Sequence, residues 1–408
     1  MSENNTTKPV NNSEIPSDWV MKKLGTLVDI FSGVSPSLFN LNVFGKYPYL
    51  KVEDLNNCEK YQNESREYSD DEKYLVPKNS VIFPKRGAAI LNNKVRINSV
   101  KVQMDSNLMA VYPKTSNLTC EYLYYRITFE QLHKIADTST IPQINNKHII
   151  PYSFPLPPLP EQKAIAACLS IWDDAINKTN QLIAQKEQGK KWLMQMLLTG
   201  KKRVKGFEGE WNEIKMSDIF ERVIRKNLEG NTTVVTISAQ RGFVSQTDFF
   251  NKLIASEITE NYFLVEKGEF CYNKSYSNGY PWGATKRLKD FEKAVVTTLY
   301  ICFAIKDTNK SDGEFFEQYF EANILDKGLT QIAHEGGRAH GLLNVTPFDF
   351  FSLKINIPDK EEQTAIAQVL QTADKEIQLL NSKLKKLKEE KKGLMQVLLT
   401  GRKRLKID

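Results

Sequence analysis

Two long stretches of the chain carry apolar residues at alternating steps of three and four. In the second, Leu370, Ala373, Ile377, Leu380, Leu384, Leu387, Leu394 and Leu398 follow this rhythm, and only Lys391 interrupts it. In the first, the matching positions are Leu169, Trp172, Ile176, Thr179, Ile183, Lys186, Lys190, Leu193 and Leu197. A mean spacing of about 3.5, kept over about four heptads, predicts two long helices with a coiled-coil seam. Neither stretch contains proline. Pro157, Pro158 and Pro160 precede one and Pro358 the other, and Gly200 and Gly401 follow the last apolar residues, where helices stop. From Lys163 to Leu198 such a helix runs ~54 Å. The stripe is narrow and flanked by Lys, Gln and Glu, so each helix needs a partner. The two helices are the obvious partners for each other, packed antiparallel, because a whole globular segment separates them in sequence. Packing of each helix on its own domain is the competing arrangement.

The same two stretches are copies. Glu161–Lys205 aligns with Glu362–Lys406 at a constant offset of 201 without a gap, and 21 of the 45 positions are identical. An internal repeat of this strength governs the reading of the whole fold. The segments before the helices, 16–160 and 207–358, form the other half of the repeat. Both open on a tryptophan phrase, Trp19-Val-Met-Lys-Lys-Leu and Trp211-Asn-Glu-Ile-Lys-Met, and then diverge. Shared ends with divergent middles predict one scaffold carrying two different surfaces.

Short apolar runs between turn signals predict strands at 47–52, 80–83, 108–112, 234–237, 269–272 and 295–304. Helices are expected at 121–135 and 314–325. The fold class is therefore mixed α/β: two globular domains joined by two long antiparallel helices, with a pseudo-two-fold internal repeat. The expected organisation is a disordered tail at 1–15, domains at 16–160 and 207–358, and helices at 161–203 and 359–403.

Composition narrows the picture only modestly. A net charge of +7 and a pI near 8.8 permit a polyanionic partner without requiring one. Cys58, Cys120, Cys168, Cys271 and Cys302 are scattered and form no CxxC pair, which points to a reducing compartment without structural disulfides or zinc. The polar start of the chain lacks the apolar core of a signal peptide. With no run of ~18 apolar residues, no membrane span is expected. The expected location is the cytoplasm.

Several phrases then fall into one family pattern. The first domain holds Gly33-Val-Ser-Pro-Ser, Tyr47-Pro-Tyr-Leu-Lys-Val-Glu-Asp-Leu, Leu75-Val-Pro-Lys-Asn-Ser-Val-Ile-Phe-Pro-Lys-Arg-Gly, Tyr122-Leu-Tyr-Tyr and Thr140-Ile-Pro-Gln-Ile. It leaves through Pro155-Leu-Pro-Pro-Leu-Pro-Glu-Gln into the helix ending Leu197-Leu-Thr-Gly-Lys-Lys-Arg. The second holds Lys267-Gly-Glu-Phe-Cys-Tyr-Asn-Lys, Gly279-Tyr-Pro-Trp-Gly-Ala, and Glu362-Gln with a helix ending Leu398-Leu-Thr-Gly-Arg-Lys-Arg. In this order and duplicated, the phrases resemble the specificity subunits of Type I restriction–modification enzymes, over all but the first ~15 residues. The resemblance implies two target recognition domains on a coiled-coil scaffold, with Leu169, Trp172, Ile176, Ile183, Leu193, Leu370, Ile377, Leu380, Leu384, Leu387 and Leu394 in the seam. It implies that double-stranded DNA is bound at a bipartite, asymmetric site, one half per domain, with the helices as a ruler between them. It also implies two modification subunits bringing S-adenosylmethionine and adenine-N6 methylation, and two restriction subunits for translocation and cleavage.

No catalytic signature is evident in the chain itself. There is no Asn-Pro-Pro-Tyr or Asp-Pro-Pro-Tyr phrase, no GxGxxG after a strand and no GxxxxGK[ST] loop, so neither a cofactor nor a metal is expected here. Pro358-Asp359 followed by Glu389-Glu-Lys391 imitates a nuclease layout. Its second half, however, lies ~45 Å along a helix, and Asp359 is expected simply to begin that helix. His334 and His340 are spaced too loosely for a helical metal site. A non-catalytic specificity subunit is the first reading; the alternative is a coiled-coil scaffold presenting two ligand-binding domains without DNA.

For a DNA reader, phosphates are met by Lys and Arg, and base edges by polar side chains on loops. The candidates in the first domain are Lys85, Arg86, Lys94, Arg96, Gln143, Asn145 and Lys147. Those in the second are Gln240, Arg241, Lys274, Asn278, Lys286, Arg287, Arg338, His340 and Asn344. The aromatics Tyr276, Tyr280 and Trp282 are expected mostly to pack tight turns. The basic tails 201–203 and 402–404 are expected to satisfy helix C-termini, worth under ~1 kcal/mol each.

Overall fold

The structure is a computed structural model and describes residues 15–137, 141–245, 259–333 and 343–406. The chain divides into two compact units. One comprises the described residues up to Gln181 together with those from Ser382 onward; the other is Leu182–Asn381.

The first unit opens with β1 (Val20–Lys23) and a sheet built from β2 (Val28–Ser32), β3 (Tyr61–Gln62), β4 (Val81–Pro84), β5 (Arg96–Asn98) and β6 (Leu108–Pro113). The sheet order is β2-β6-β4-β5-β3, antiparallel except for the β3–β5 edge. The middle strand β4 is buried along its whole length, and Val81, Ile82 and Phe83 are solvent-free. That explains its unbroken apolar sequence, since a strand covered on both faces has no polar side. Helix α1 (Cys120–Glu130) follows, capped by the Thr119 side chain on the Tyr122 amide. It stops short of the expected 121–135 because Gln131 turns left-handed at φ 66°. Strand β7 (Ser153–Leu156) pairs antiparallel with β1, Val20 opposite Leu156, so the tryptophan phrase and the exit phrase close the domain together. Helix α2 (Leu159–Leu197) begins there.

The second unit repeats this plan. Strand β8 (Asn212–Lys215) leads to a sheet of β9 (Phe220–Arg222), β10 (Phe270–Asn273), β11 (Ala284–Arg287) and β12 (Ile301–Ile305) in the order β9-β12-β10-β11. The expected strand 295–304 is two strands, Lys293–Val296 and β12, divided by a turn in which the Tyr300 amide reaches the Thr297 carbonyl. Helix α3 (Gly313–Glu321) is capped by Asp312, and β13 (Lys354–Ile357) pairs with β8 before α4 (Lys360–Leu398).

Each unit contains one half of each long helix, running antiparallel. In the first, Asp173 of α2 meets Lys391 of α4. In the second, Lys190 meets Asp374 at 2.6 Å and Lys186 meets Glu376 at 2.7 Å. None of the nine seam positions in α2 or the nine in α4 is exposed, whereas flanking Lys178, Leu182, Lys375 and Lys385 are. The residues that break the apolar stripe, Lys190 and Lys391, therefore belong to the seam, each neutralised by an aspartate of the opposing helix.

The competing arrangement also operates, at the helix ends. Met395, Leu398 and Leu399 are buried in the first core with Trp19, Tyr122, Phe154 and Leu169. Met194, Leu197 and Leu198 are buried in the second with Phe220, Phe303, Phe316 and Leu370. At about 1.5–3 kcal/mol for each fully buried large apolar side chain, these residues make each helix end part of the domain it reaches.

Among the described residues no helix is long and apolar enough to cross a membrane, and no group of three or more metal-ligating side chains is gathered.

Candidate nucleic-acid interface

In the first unit, β4 runs out at Pro84 into Lys85 and Arg86. The Ile144 amide donates to the Lys85 carbonyl at 2.9 Å, the Gly87 amide to the Pro142 carbonyl at 2.9 Å, and the Lys85 amide to the Asn107 carbonyl at 2.8 Å. Arg86 and Gln143 pair as an isolated bridge. Residues nearly 60 apart in sequence are thus brought together: Lys85, Arg86, Gln143 and Asn145. Asn145 begins the short helix 146–149, its amide donating to His148 Nδ1 at 3.0 Å, and Lys147 is exposed on that helix.

The second unit assembles its cluster around the end of β10. The Leu343 amide donates to the Lys274 carbonyl at 3.0 Å. Asn273 Nδ2 donates to the Ile237 carbonyl at 3.3 Å, and Gln240 Nε2 donates to the Asn278 carbonyl at 3.0 Å. Ser277 and Tyr280 exchange backbone bonds of 3.2 and 2.9 Å, which closes the turn carrying Asn278. Gln240, Arg241, Lys274 and Asn278, with exposed Asn344 beside Leu343, therefore share one end of the domain.

Other candidates are engaged elsewhere. Arg96 donates from Nε to the Cys58 carbonyl at 2.8 Å and from Nη1 to the Val95 carbonyl at 2.7 Å, fixing a loop. Lys286 pairs with Glu321 and reaches Tyr280 Oη at 3.2 Å. Arg287 pairs with Glu314 at 2.6 Å and with the Gly268 carbonyl at 3.2 Å. These three cations are used within their own domain. Lys94 is half-buried ahead of β5. Arg338 and His340, with His334, lie outside the described residues.

Tyr276 departs from the turn-packing expectation: it is 68% exposed at the tip of the Lys274–Tyr280 turn. Tyr280 and Trp282 do pack inward. Tyr280 hydrogen-bonds Glu321, and the Trp282 carbonyl accepts from Tyr272 Oη at 2.7 Å.

The sequence reading also passed over the residues that hold each helix to its domain. Glu161 is fully buried. It accepts Trp19 Nε1 at 2.9 Å and the Arg404 guanidinium at 2.5 and 2.7 Å. Glu362, 2% exposed, does the same with Trp211 Nε1 at 3.2 Å and Arg203 at 2.7 and 2.5 Å. Arg203 and Arg404 therefore do more than satisfy helix ends. Gln162 Oε1 accepts the Thr119 amide at 3.0 Å, and Gln363 Oε1 accepts the Asp312 amide at 2.9 Å. Asp173 accepts from Tyr125 Oη at 2.6 Å, and Asp374 from Gln318 Nε2 at 2.9 Å. The Glu, Gln, Asp and Arg of each set are identical between copies, and that identity was the available signal. The nuclease imitation dissolves: Lys391 is held by Asp173, and Asp359 stands at the start of α4, its carbonyl accepting the Gln363 amide at 3.0 Å.

The fold and these two loop clusters define a class: a duplicated α/β protein whose two like domains present unlike polar ends on one pair of helices. The family model for the Type I restriction modification DNA specificity domain matches twice, over residues 16–188 and 208–389, and the chain belongs to that family. It is a specificity subunit of a Type I restriction–modification system. It is 24% identical to the Type I restriction enzyme MjaVIII specificity subunit of Methanocaldococcus jannaschii, covering 98% of this chain and 96% of that protein. Its fold is similar to the S subunit of the Type I restriction–modification system from M. genitalium, with a TM-score of 0.54, 16% identity and coverage of 96% and 98%. It is also similar, with a TM-score of 0.60, 13% identity and coverage of 95% and 99%, to a chain solved to show complex assembly and conformational transition of a type I R-M system.

Proposed function

We propose that this chain reads a bipartite, asymmetric site on double-stranded DNA, one half with each domain, and has no catalytic centre of its own. The observation that carries this is duplication with selective divergence. The contacts that build the frame recur in both units, whereas the loop ends differ: Arg86 and Gln143 in one, Gln240, Tyr276 and Asn278 in the other. A symmetric DNA site would need two identical ends; an asymmetric one needs this difference. Arg86, Gln143 and Asn145 are the base-reading candidates for one half-site, and Gln240, Asn278 and Asn344 for the other, since Arg, Gln and Asn offer the donor–acceptor pairs that discriminate bases. Two modification subunits would supply S-adenosylmethionine and methylate adenine N6 in each half, and two restriction subunits would complete the complex.

The test is co-expression with a Type I modification subunit from the same host, followed by methylome sequencing of host DNA. A bipartite adenine-methylated motif is expected. A competent complex that methylates nothing and binds no duplex above background would reject the proposal in favour of a protein-only scaffold.

A further inference from the structure

Lys85 and Lys274 occupy the same place in the two domains. Each is the first residue beyond an inner strand of its sheet, β4, buried throughout, or β10, buried up to Tyr272. The strand registers agree: Val81 lies opposite Val111 as Phe270 lies opposite Phe303. A hydrogen bond independent of those registers agrees as well. The Lys85 carbonyl accepts the Ile144 amide, and the Lys274 carbonyl accepts the Leu343 amide, each just ahead of a short helix, 146–149 or 347–352. This coincidence arises although the surrounding sequences share little.

The two lysines are also alike in what they lack. Both are half-buried, and among the described residues neither ammonium has an ion pair or hydrogen bond to the protein. Among the other half-buried cations, Lys286 is matched with Glu321, Lys190 with Asp374, Lys391 with Asp173 and Arg287 with Glu314, whereas Lys94 shares the unmatched state without the shared backbone position. Partial burial draws the Lys85 and Lys274 ammonium groups below the usual lysine range; at Lys85 the neighbouring Arg86 adds to the effect and Asp105 opposes it from a distance. Burying a cation without a partner costs free energy, so such cations are rare unless an anion arrives from outside. A residue that recurs at the same backbone position while the loops around it differ fits a contact that both half-sites share, and the DNA backbone is such a contact.

Resting on the DNA-reading function proposed above, we infer that Lys85 and Lys274 are one phosphate anchor used twice: each takes a backbone phosphate of its half-site and sets the register of the loops that read the bases.

The experiment uses the full chain in complex with its modification subunit. Binding to cognate and scrambled duplexes is measured across a salt series for wild type, Lys85→Met, Lys274→Met and the two Lys→Arg variants. Each Lys→Met change is expected to weaken both duplexes by a similar factor, to lower the magnitude of the log–log salt slope by about 1, and to leave the methylated motif unchanged; Arg is expected to restore binding. An unchanged slope, a changed base at one motif position, or a loss of assembly with the modification subunit at unaltered DNA affinity would each overturn the anchor. Wild-type complex that ignores DNA altogether would instead overturn the DNA-reading function.

Discussion

Arg404 grips Glu161 through Nε at 2.5 Å and Nη2 at 2.7 Å, across 243 residues of sequence. Its Nη1 and Nη2 also reach the exposed Asp18 carboxylate at 2.8 Å. Arg203 repeats the grip on Glu362. The segment just beyond each helix is thereby tied to the first turn of the other and to the tryptophan that opens the domain. Removing a charged partner leaves a buried carboxylate under-satisfied, which costs roughly 2–3 kcal/mol. Arg404→Met is expected to lower the stability of the first unit by about that amount in urea unfolding, and Arg203→Met that of the second. Each change should leave the other unit's hydrogen-exchange protection unaltered.

The seam lysines give a sharper contrast. Lys391→Met leaves Asp173 without its cation and with the Tyr125 hydroxyl as donor, and Lys190→Met leaves Asp374 without its cation and with the Gln318 amide as donor. Breaking a buried pair from one side is destabilising by about 3–5 kcal/mol when desolvation is complete, whereas replacing both partners by apolar groups is often neutral or stabilising. These pairs are partly exposed, so a loss of roughly 1–3 kcal/mol is expected for each single change. The double change Asp173→Leu with Lys391→Leu should recover most of it in thermal melting.

Lys85→Met and Lys274→Met have a predictable sign on stability. A lysine whose folded pKa is depressed binds fewer protons folded than unfolded between the two values, so stability rises with pH across that window and the unfavourable charge is present below it. Both directions of shift are downward. Removing the charge should therefore leave the melting temperature at neutral pH equal or higher, while a wild-type gain on raising the pH through the alkaline lysine range disappears in the variants. A drop in melting temperature at pH 7 would contradict this.

Gly283 holds φ +82°, and a Cβ there would stand 2.5 Å from the Asn273 carbonyl and 2.7 Å from the Tyr272 ring. Gly283→Ala is expected to cost roughly 2–4 kcal/mol from backbone strain and overlap together, and to disturb the loop carrying Lys274. Gly279, at φ +81° in open space, should cost only about 1–2 kcal/mol on the same change. Chemical denaturation of the two variants separates the steric part from the backbone part.

Cys271 and Cys302 face each other on β10 and β12 with sulfurs 3.3 Å apart, both buried. Burial raises the Cys271 thiol well above its usual range. Native protein is expected to leave both unalkylated by iodoacetamide, and mild unfolding to expose both together, as read by mass spectrometry; Cys58, half-exposed, should react earlier.

The sequence by itself determined the parts whose physics is local or repeated. The 3.5-residue rhythm sets which face of each long helix is covered, because helical geometry alone aligns residues three and four apart, and every seam position including Lys186, Lys190 and Lys391 is covered. The duplicated phrases set two like domains, and each of the six expected apolar runs falls on a strand, although most of the shorter strands carry no such run. What only the tertiary structure decided are pairings across great sequence distance. The partner of Lys391 is 218 residues away, and no local pattern chooses between solvent and Asp173. The convergence of Lys85 with Gln143, and of Lys274 with Leu343, follows from sheet order and the backbone bonds that sheet order permits. Arg96, Lys286 and Arg287 read like Lys85 in sequence, yet strand register turns them onto carbonyls and carboxylates of their own domain. The equivalence of Lys85 with Lys274 lies in backbone position alone, because side chains around them diverged while the strand ends that hold them did not.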